Sequence, residues 1–431
     1  LVKEENEVRT VCIDHASLWR LGGGKTQNAD PDSDDVFSEA TGLTPNQVPS
    51  SLDSGNEIQI PSGSYSDGAW GRFVDAPTLY FELWRDHHEK FDVLGGITEP
   101  TYGLKSGTNK FFFVPRPGDE NTTFKSEYET DTGKLKLKHK ETGREFQIEP
   151  KFWMRPIDEV PDAYHDQFEC RHEIDGEEHI PDLILVRNRE ITTSPIEPNH
   201  LNHVHITIDV PRNDVSKFDA GDYVEFGEEP RWGRSNDIRL PDRSSLSGRS
   251  PEWYSQPKIN DAYIILTNTF NAQLQFHYNP CRFTVSNRFY YLPSAEEVRP
   301  GYLAGYLNSS FGWFMEEVTG RSWTNTLLFD KPEYLILPVL LADDETQSAI
   351  EDAVEELLDE EVGNVFEELG SYNPDDFSLD SVKTERKTLD QIFFDVLDFD
   401  EEQKLQLYKT IISMVRDRLM RQPDENPSLC E

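Results

Sequence analysis

Two rhythms of apolar and polar residues divide the chain. In "APTLYFELWRDHHEKF" the apolar residues Leu79, Tyr80, Leu83 and Trp84 fall at helical spacing and predict a helix. From about residue 92 to 340 the pattern shortens to strands separated by turns. "GKLKLKHKETGREFQIEP" predicts a hairpin around Glu141, Thr142 and Gly143, and period-two alternation puts Lys134, Lys136, Lys138 and Lys140 on one face. "PGYLAGYLNSSFGWFMEEVTG" predicts a helix with a broad apolar face, including Leu303, Tyr306, Leu307, Trp313, Phe314 and Val318, with Gly320 as its stop. After Pro338 the helices become acidic. "QSAIEDAVEELLDEEVGNVFEELG" turns Ile350, Val354, Leu357, Leu358 and Phe366 inward, and a last helix starts at Asp400, which can form a capping box with Gln403.

This sequence of elements predicts an α+β chain in three parts. Residues 1–75, rich in Gly, Ser, Asp and Pro, read as a loop-rich connector. Residues 76–340 read as a strand-rich domain with interspersed helices, and 341–431 as an acidic helical C-terminal region.

Composition narrows the setting. At 431 residues the chain can hold two or three cores. No apolar run approaches the ~20 residues that span a bilayer, and no charged-then-apolar leader opens it. Cys12, Cys170, Cys281 and Cys430 are scattered and imply neither a disulfide framework nor a thiolate metal site. A cytoplasmic location is expected. The net charge is −39, with 81 acidic against 42 basic residues. A cationic partner would explain it, but the acids are spread through nearly every segment. That spread favours adaptation to a salt-rich cytoplasm, where a carboxylate surface keeps proteins soluble. The informative positions are then those where lysine and arginine persist.

Several chemical motifs fail on spacing. "LGGGKT" lacks the glycine that a phosphate-cradling loop needs, because that position is Trp19. His203 and His205 share a strand face, yet spacing suggests no fourth ligand, so structural histidines are the simpler reading. Pro181-Asp182 precedes a strand, but Glu190 is followed by Thr192 where a nuclease would want lysine. Asn279-Pro280-Cys281-Arg282 misses the Asn-Pro-Pro-aromatic tetrapeptide of adenine methylation at two positions.

Basic residues persist in three places. "YGLKSGTNKFFFV" brackets Lys105 and Ser106 with glycines and adds Thr108, Asn109 and Lys110, a composition that suits a phosphate of a nucleotide or a nucleic acid. The hairpin carries its lysine face. "EEPRWGRSNDIRLPDRSSLSGRSPEWYSQPK" carries Arg231, Arg234, Arg239, Arg243, Arg249 and Lys258 without helical or strand period, and Trp232 and Trp253 there can stack on bases or pack under the loop. Each arginine either pairs with a neighbouring carboxylate or meets phosphate and guanine edges with its planar fork.

The chain resembles the TaqI-like, adenine-specific DNA methyltransferases of restriction-modification systems. "YGLKSGTNKFFFV" resembles the Gly-[Ile/Leu]-Lys-[Thr/Ser]-Gly-x-Asn-x-Phe-Phe loop that opens their C-terminal target-recognition domain. "FQIEPKFWMRPI", "GRSPEWYSQP", "RFTVSNRFYYLP", "LAGYLNSSFGWFMEEVTGRS" and "TLLFDKPEYLILPV" resemble later segments of that domain in the same order, over roughly residues 75–420. The catalytic half, with its cofactor-binding turn, has no counterpart here.

The resemblance implies a specificity part that binds double-stranded DNA while S-adenosylmethionine sits in a separate catalytic half, with a restriction subunit as a further possible partner. Such enzymes flip the target base, and the recognition domain holds the backbone and reads base edges. The expected phosphate contacts are Lys105, Ser106, Thr108, Asn109 and Lys110, supported by Lys134, Lys136 and Lys138. The expected base readers are Arg231, Trp232, Arg234, Arg239, Arg243 and Arg249, with Arg321, Trp323 and Thr324 as a second group. The competing readings are a complete methyltransferase with unrecognised motifs and an acidic DNA mimic.

Overall fold

The apolar residues near position 80 form one face of the helix Thr78–His87, which buries Leu79, Tyr80, Leu83 and Trp84 and leaves Arg85 and Asp86 to solvent. In this computed structural model the described residues are 76–191, 193–232, 238–358 and 363–420, with the backbone of an antiparallel pair, Val2–Glu5 and Val8–Val11. The rest of the connector expected over 1–75 lies outside the described residues. The architecture is α+β, with sheets of two to four strands set among helices and a helical C-terminal region.

A four-stranded antiparallel sheet organises the interior, in the order His277–Tyr278, Ile264–Leu266, Tyr290–Leu292 and Thr101–Tyr102. Successive side chains of a strand point to opposite faces, and here the alternation divides two cores. Ile264, Leu266, Tyr290 and Leu292 enter one apolar cluster, whereas Ile265 and Tyr291 enter the other.

The hairpin forms where the sequence places it. Lys134–His139 pairs with Glu145–Ile148 on one side and Phe124–Glu129 on the other. Leu135, Leu137 and His139 are buried, and the lysines between them face outward. Helix Ala220–Gly227 covers the sheet through Tyr223 and Phe226. Phe111 stacks on Tyr223 with ring centroids 4.3 Å apart, and the whole run Phe111, Phe112 and Phe113 is buried. These aromatics are packing elements.

The second core departs from the expected single helix over 300–320. Two helices form, Pro300–Asn308 and Ser310–Thr319, broken at Ser309. Ser309 is extended, and its side chain accepts the Gly312 N–H at 3.0 Å, which caps the second helix. A Cβ at Gly312 would collide with the Tyr306 carbonyl oxygen, so the elbow needs glycine there. The apolar period runs through the break, because both helices are buried nearly all round. The acidic stretch likewise divides into Asp344–Leu358 and Val365–Leu369, the latter capped by Asn364. Asp400 caps Glu401–Leu419 in a reciprocal box with Gln403, as its spacing predicts. This cluster gathers side chains from Ala76 to Leu419, on both sides of position 341.

Its centre is polar. Arg418 donates to Glu317 at 2.5 and 3.1 Å, with both side chains nearly fully buried. Asp390 accepts the Ser310 N–H at 2.7 Å and the Tyr408 hydroxyl at 2.9 Å. The Arg386 guanidinium lies 3.9 Å from the Trp313 ring centroid. Glu316 differs from these groups. Its carboxyl is fully buried and neither oxygen has a hydrogen-bond partner. Burial holds its pKa well above the ordinary 4.5, with Glu317 adding to the effect and Arg386 opposing it.

A pH dependence follows. Burial favours the neutral carboxyl in the fold more than in the unfolded chain, so the stability it allows is fully present below the unfolded value and is lost as pH rises toward the folded one. Glu316→Gln is neutral in both states. Denaturant unfolding from pH 5 to pH 8 should therefore show the variant gaining on the wild type by up to ~1.4 kcal/mol per pH unit. A constant difference across that range would contradict the assignment.

Candidate nucleic-acid interface

The glycine-bracketed loop and the arginine-bearing segment, far apart in sequence, meet in space. Arg243 donates to the Gly107 carbonyl at 3.0 Å and to the Trp232 carbonyl at 3.0 Å. Arg249 donates to the Lys105 carbonyl at 2.6 Å and the Ser255 carbonyl at 3.0 Å. Gln256 donates to the Ser106 carbonyl at 3.4 Å. The loop is thus held by its backbone oxygens while the Lys105 and Lys110 side chains remain exposed. Gly107 has φ +76°, and a Cβ there would come within 2.6 Å of Leu246, so this contact requires glycine.

The expected phosphate contacts divide by exposure. Lys105 and Lys110 are exposed, and neither side chain forms an ion pair with any described residue. Ser106 and Thr108 are buried, and Ser106 donates to Asn109 at 2.6 Å, an internal brace at the start of the helical turn Asn109–Phe112. On the hairpin every lysine of the face holds a carboxylate. Lys134 meets Asp219 at 2.5 Å, Lys136 meets Glu129 at 2.5 Å, Lys138 meets Glu145 at 2.8 Å and Lys140 meets Glu120 at 2.9 Å.

The expected base readers divide as well. Arg243 and Arg249 are the clamps just described, and burial draws the Arg249 pKa below its ordinary value. Arg231 pairs with Glu229 at 2.7 Å over the Phe226 ring. Trp232 packs edge-on against Phe111 and Phe226 and donates its indole N–H to the Phe226 carbonyl at 3.2 Å. Its ring is turned into the protein, away from any base. Arg239 pairs with Asp242 at 2.6 Å at the surface, and Arg234 lies outside the described residues. The second group remains open to solvent. Arg321–Trp323 pairs antiparallel with Thr326–Leu328, and all three residues of the first strand are exposed. Trp323 is 66% exposed, and Thr324 makes the turn at φ +55°, an unusual conformation for a β-branched residue. Arg321 meets Asp330 at 2.9 Å and Glu333 at 3.9 Å.

Three exposed arginines outside these groups, Arg187, Arg189 and Arg288, also form no hydrogen bond or ion pair through their side chains with any described residue. The sequence does not single them out, because Arg187-Asn188-Arg189 and Asn287-Arg288 sit in ordinary strand exits about a hundred residues apart. Among the described residues no cluster of three His, Cys, Asp or Glu side chains is placed to hold a metal ion, and no helix is long and apolar enough to cross a membrane. The Asn279 turn is structural. Its buried amide donates to the Ala262 and Phe283 carbonyls at 2.7 and 2.9 Å.

No protein-family model matches this chain, and no curated protein does. Among solved structures it is similar to the type IIG restriction endonuclease BpuSI, at 11% identity and a TM-score of 0.48, over 86% of this chain and 37% of that one. It is also similar to the type IIL restriction-modification enzyme MmeI in complex with DNA, at 14% identity and a TM-score of 0.32, over 70% of this chain and 37% of that one. The chain therefore spans well under half the length of either.

The two clamps make a prediction. A hydrogen bond to a charged donor contributes about 1.5–3 kcal/mol. Arg243→Ala with Arg249→Ala should raise amide exchange over residues 105–110 roughly tenfold or more, and leave exchange in Glu401–Leu419 unchanged. Equal exchange at 105–110 in variant and wild type would show that the clamps do not order the loop.

Proposed function

We propose that this chain is the DNA-binding, sequence-reading part of an adenine-specific DNA methyltransferase of a restriction-modification system, working in a salt-rich cytoplasm. Methyl transfer falls to a catalytic part that binds the adenosyl cofactor, and residues 76–340 form the recognition domain. The observation that carries the reading is the solvent-facing hairpin of Arg321–Trp323 and Thr326–Leu328. A two-stranded ribbon fits the major groove, where each base pair presents its own pattern of donors and acceptors. Arg321 supplies a planar fork for a guanine edge. Its closer partner, Asp330, is a surface carboxylate, and a pair of that kind contributes only about 0–1 kcal/mol. A guanine contact discriminates by about 1–3 kcal/mol against a wrong base, and so weak a surface pair is little obstacle to that contact. Trp323 supplies apolar area that binding would cover. Lys105 and Lys110, which pair with no carboxylate among the described residues, are offered to phosphates.

Selection from a random duplex pool in ~2 M salt, which suppresses phosphate-driven binding, tests this reading. The wild type should enrich a motif, and Arg321→Ala should lose about 1–3 kcal/mol of discrimination at one position. A pool that emerges unenriched from the wild type would sink the proposal. With DNA and a methyl donor, the chain alone should transfer no methyl group.

A further inference from the structure

Three segments leave the interior side by side. Ile184–Leu185 runs parallel to Thr284–Val285, and Leu104 is bridged in parallel to Ser286. Hydrogen bonds lock the register. Ser286 N–H donates to the Leu185 carbonyl at 2.9 Å, Leu104 N–H to the Val285 carbonyl at 2.6 Å, and Asn287 N–H to the Leu104 carbonyl at 3.1 Å. Parallel strands end at the same edge. The residues that emerge there are Lys105, Arg187, Asn287 and Arg288, with Arg189 one turn further along the chain, and all are exposed. Neighbouring strands lie about 4.8 Å apart, so Lys105 and Arg187 flank Asn287 across roughly 10 Å.

This edge is unusual for so acidic a chain. Residues 102–110, 184–189 and 284–293 contain no aspartate or glutamate. The first acid to follow is Glu190, and its carboxylate turns inward, accepting the Val186 N–H at 3.1 Å and lying 3.4 Å from His203 Nδ1, with its side chain 6% exposed. Elsewhere most cations hold a carboxylate, a carbonyl or a ring. Cations that pair with no carboxylate among the described residues and stand ~10 Å apart repel by only about 0.4 kcal/mol a pair in water, so the fold can hold them unpaired. Such an arrangement is favourable when a polyanion occupies it.

We infer that Lys105, Arg187, Arg189 and Arg288, at the shared exit of these three parallel segments, clamp the phosphate backbone of a nucleic-acid duplex. The inference rests on the DNA reading proposed above and adds residues that set its affinity rather than its sequence preference. Phosphate contacts position a protein on DNA without reading bases, and each contributes a salt slope of about −0.9.

The test measures affinity for a random-sequence duplex pool across a series of salt concentrations. It compares the wild type with the triple variant Arg187→Gln, Arg189→Gln, Arg288→Gln. A second variant, Lys387→Gln with Lys409→Gln, removes cations from the C-terminal helices, where these lysines also lack described partners. Far-ultraviolet circular dichroism confirms that each variant is folded. The triple variant should bind at least tenfold more weakly at low salt, with a slope shallower by about 2–3, and the helical variant should match the wild type. Wild-type binding that the triple variant retains in full would overturn the clamp and leave the DNA reading standing. Equal weakening by both variants would show a net-charge effect and also overturn it. Failure of the wild type to bind any duplex would overturn both.

Discussion

Carboxylate excess is the constraint on which the surface of this protein depends. With acidic residues outnumbering basic ones nearly two to one, most lysines and arginines among the described residues find a partner. The hairpin lysines show this outcome, since each ends on an oxygen of Asp219, Glu129, Glu145 or Glu120. Such pairs contribute little to stability, but they cancel charge locally, so the lysine face offers an anionic partner little net charge. A cation that stays unpaired in this setting is therefore more informative than a basic cluster in an ordinary protein. Among the described residues, Lys105, Arg187, Arg189 and Arg288 meet that description together, along one edge.

The interior explains how such an edge is built. The sheet of His277–Tyr278, Ile264–Leu266, Tyr290–Leu292 and Thr101–Tyr102 divides the apolar residues by alternation into two clusters. Just beyond Tyr102 the chain leaves this sheet and pairs in parallel with Ser286, so the glycine-bracketed loop starts where two other segments also end. Arg243, Arg249 and Gln256 then tie the loop down by its carbonyls. Guanidinium groups suit this work, because they keep their charge and offer several donors in a fixed plane. Arginines that read as contacts to a partner thus serve to present other residues.

Local signals were legible in the sequence and long-range ones were not. The lysine-faced hairpin depends on period-two alternation and a turn, and the last helix on a cap three residues long, so both could be read from a few neighbouring positions. The break at Ser309 was hidden because burial on all sides gives an unbroken apolar run, and the signal that ends the helix is a serine cap no different in sequence from other serines. The roles of Arg243 and Arg249 depend on carbonyls more than a hundred residues away. Within the candidate site, Lys105, Lys110, Arg321 and Trp323 were legible as exposed chemistry. Arg187, Arg189 and Arg288 were not, since only parallel pairing of distant segments brings them beside Lys105.

The central claim is that the unpaired cations of the strand-exit edge, and not the protein's basic residues in general, face DNA. Chemical footprinting tests it directly: lysine and arginine side chains are labelled with and without a duplex, and modification is read residue by residue by mass spectrometry. The account predicts that Lys105, Arg187 and Arg288 lose reactivity when the duplex is present, while Lys387 and Lys409 keep theirs. Unchanged labelling at the edge in a protein that binds the duplex, or protection confined to the C-terminal helices, would contradict it.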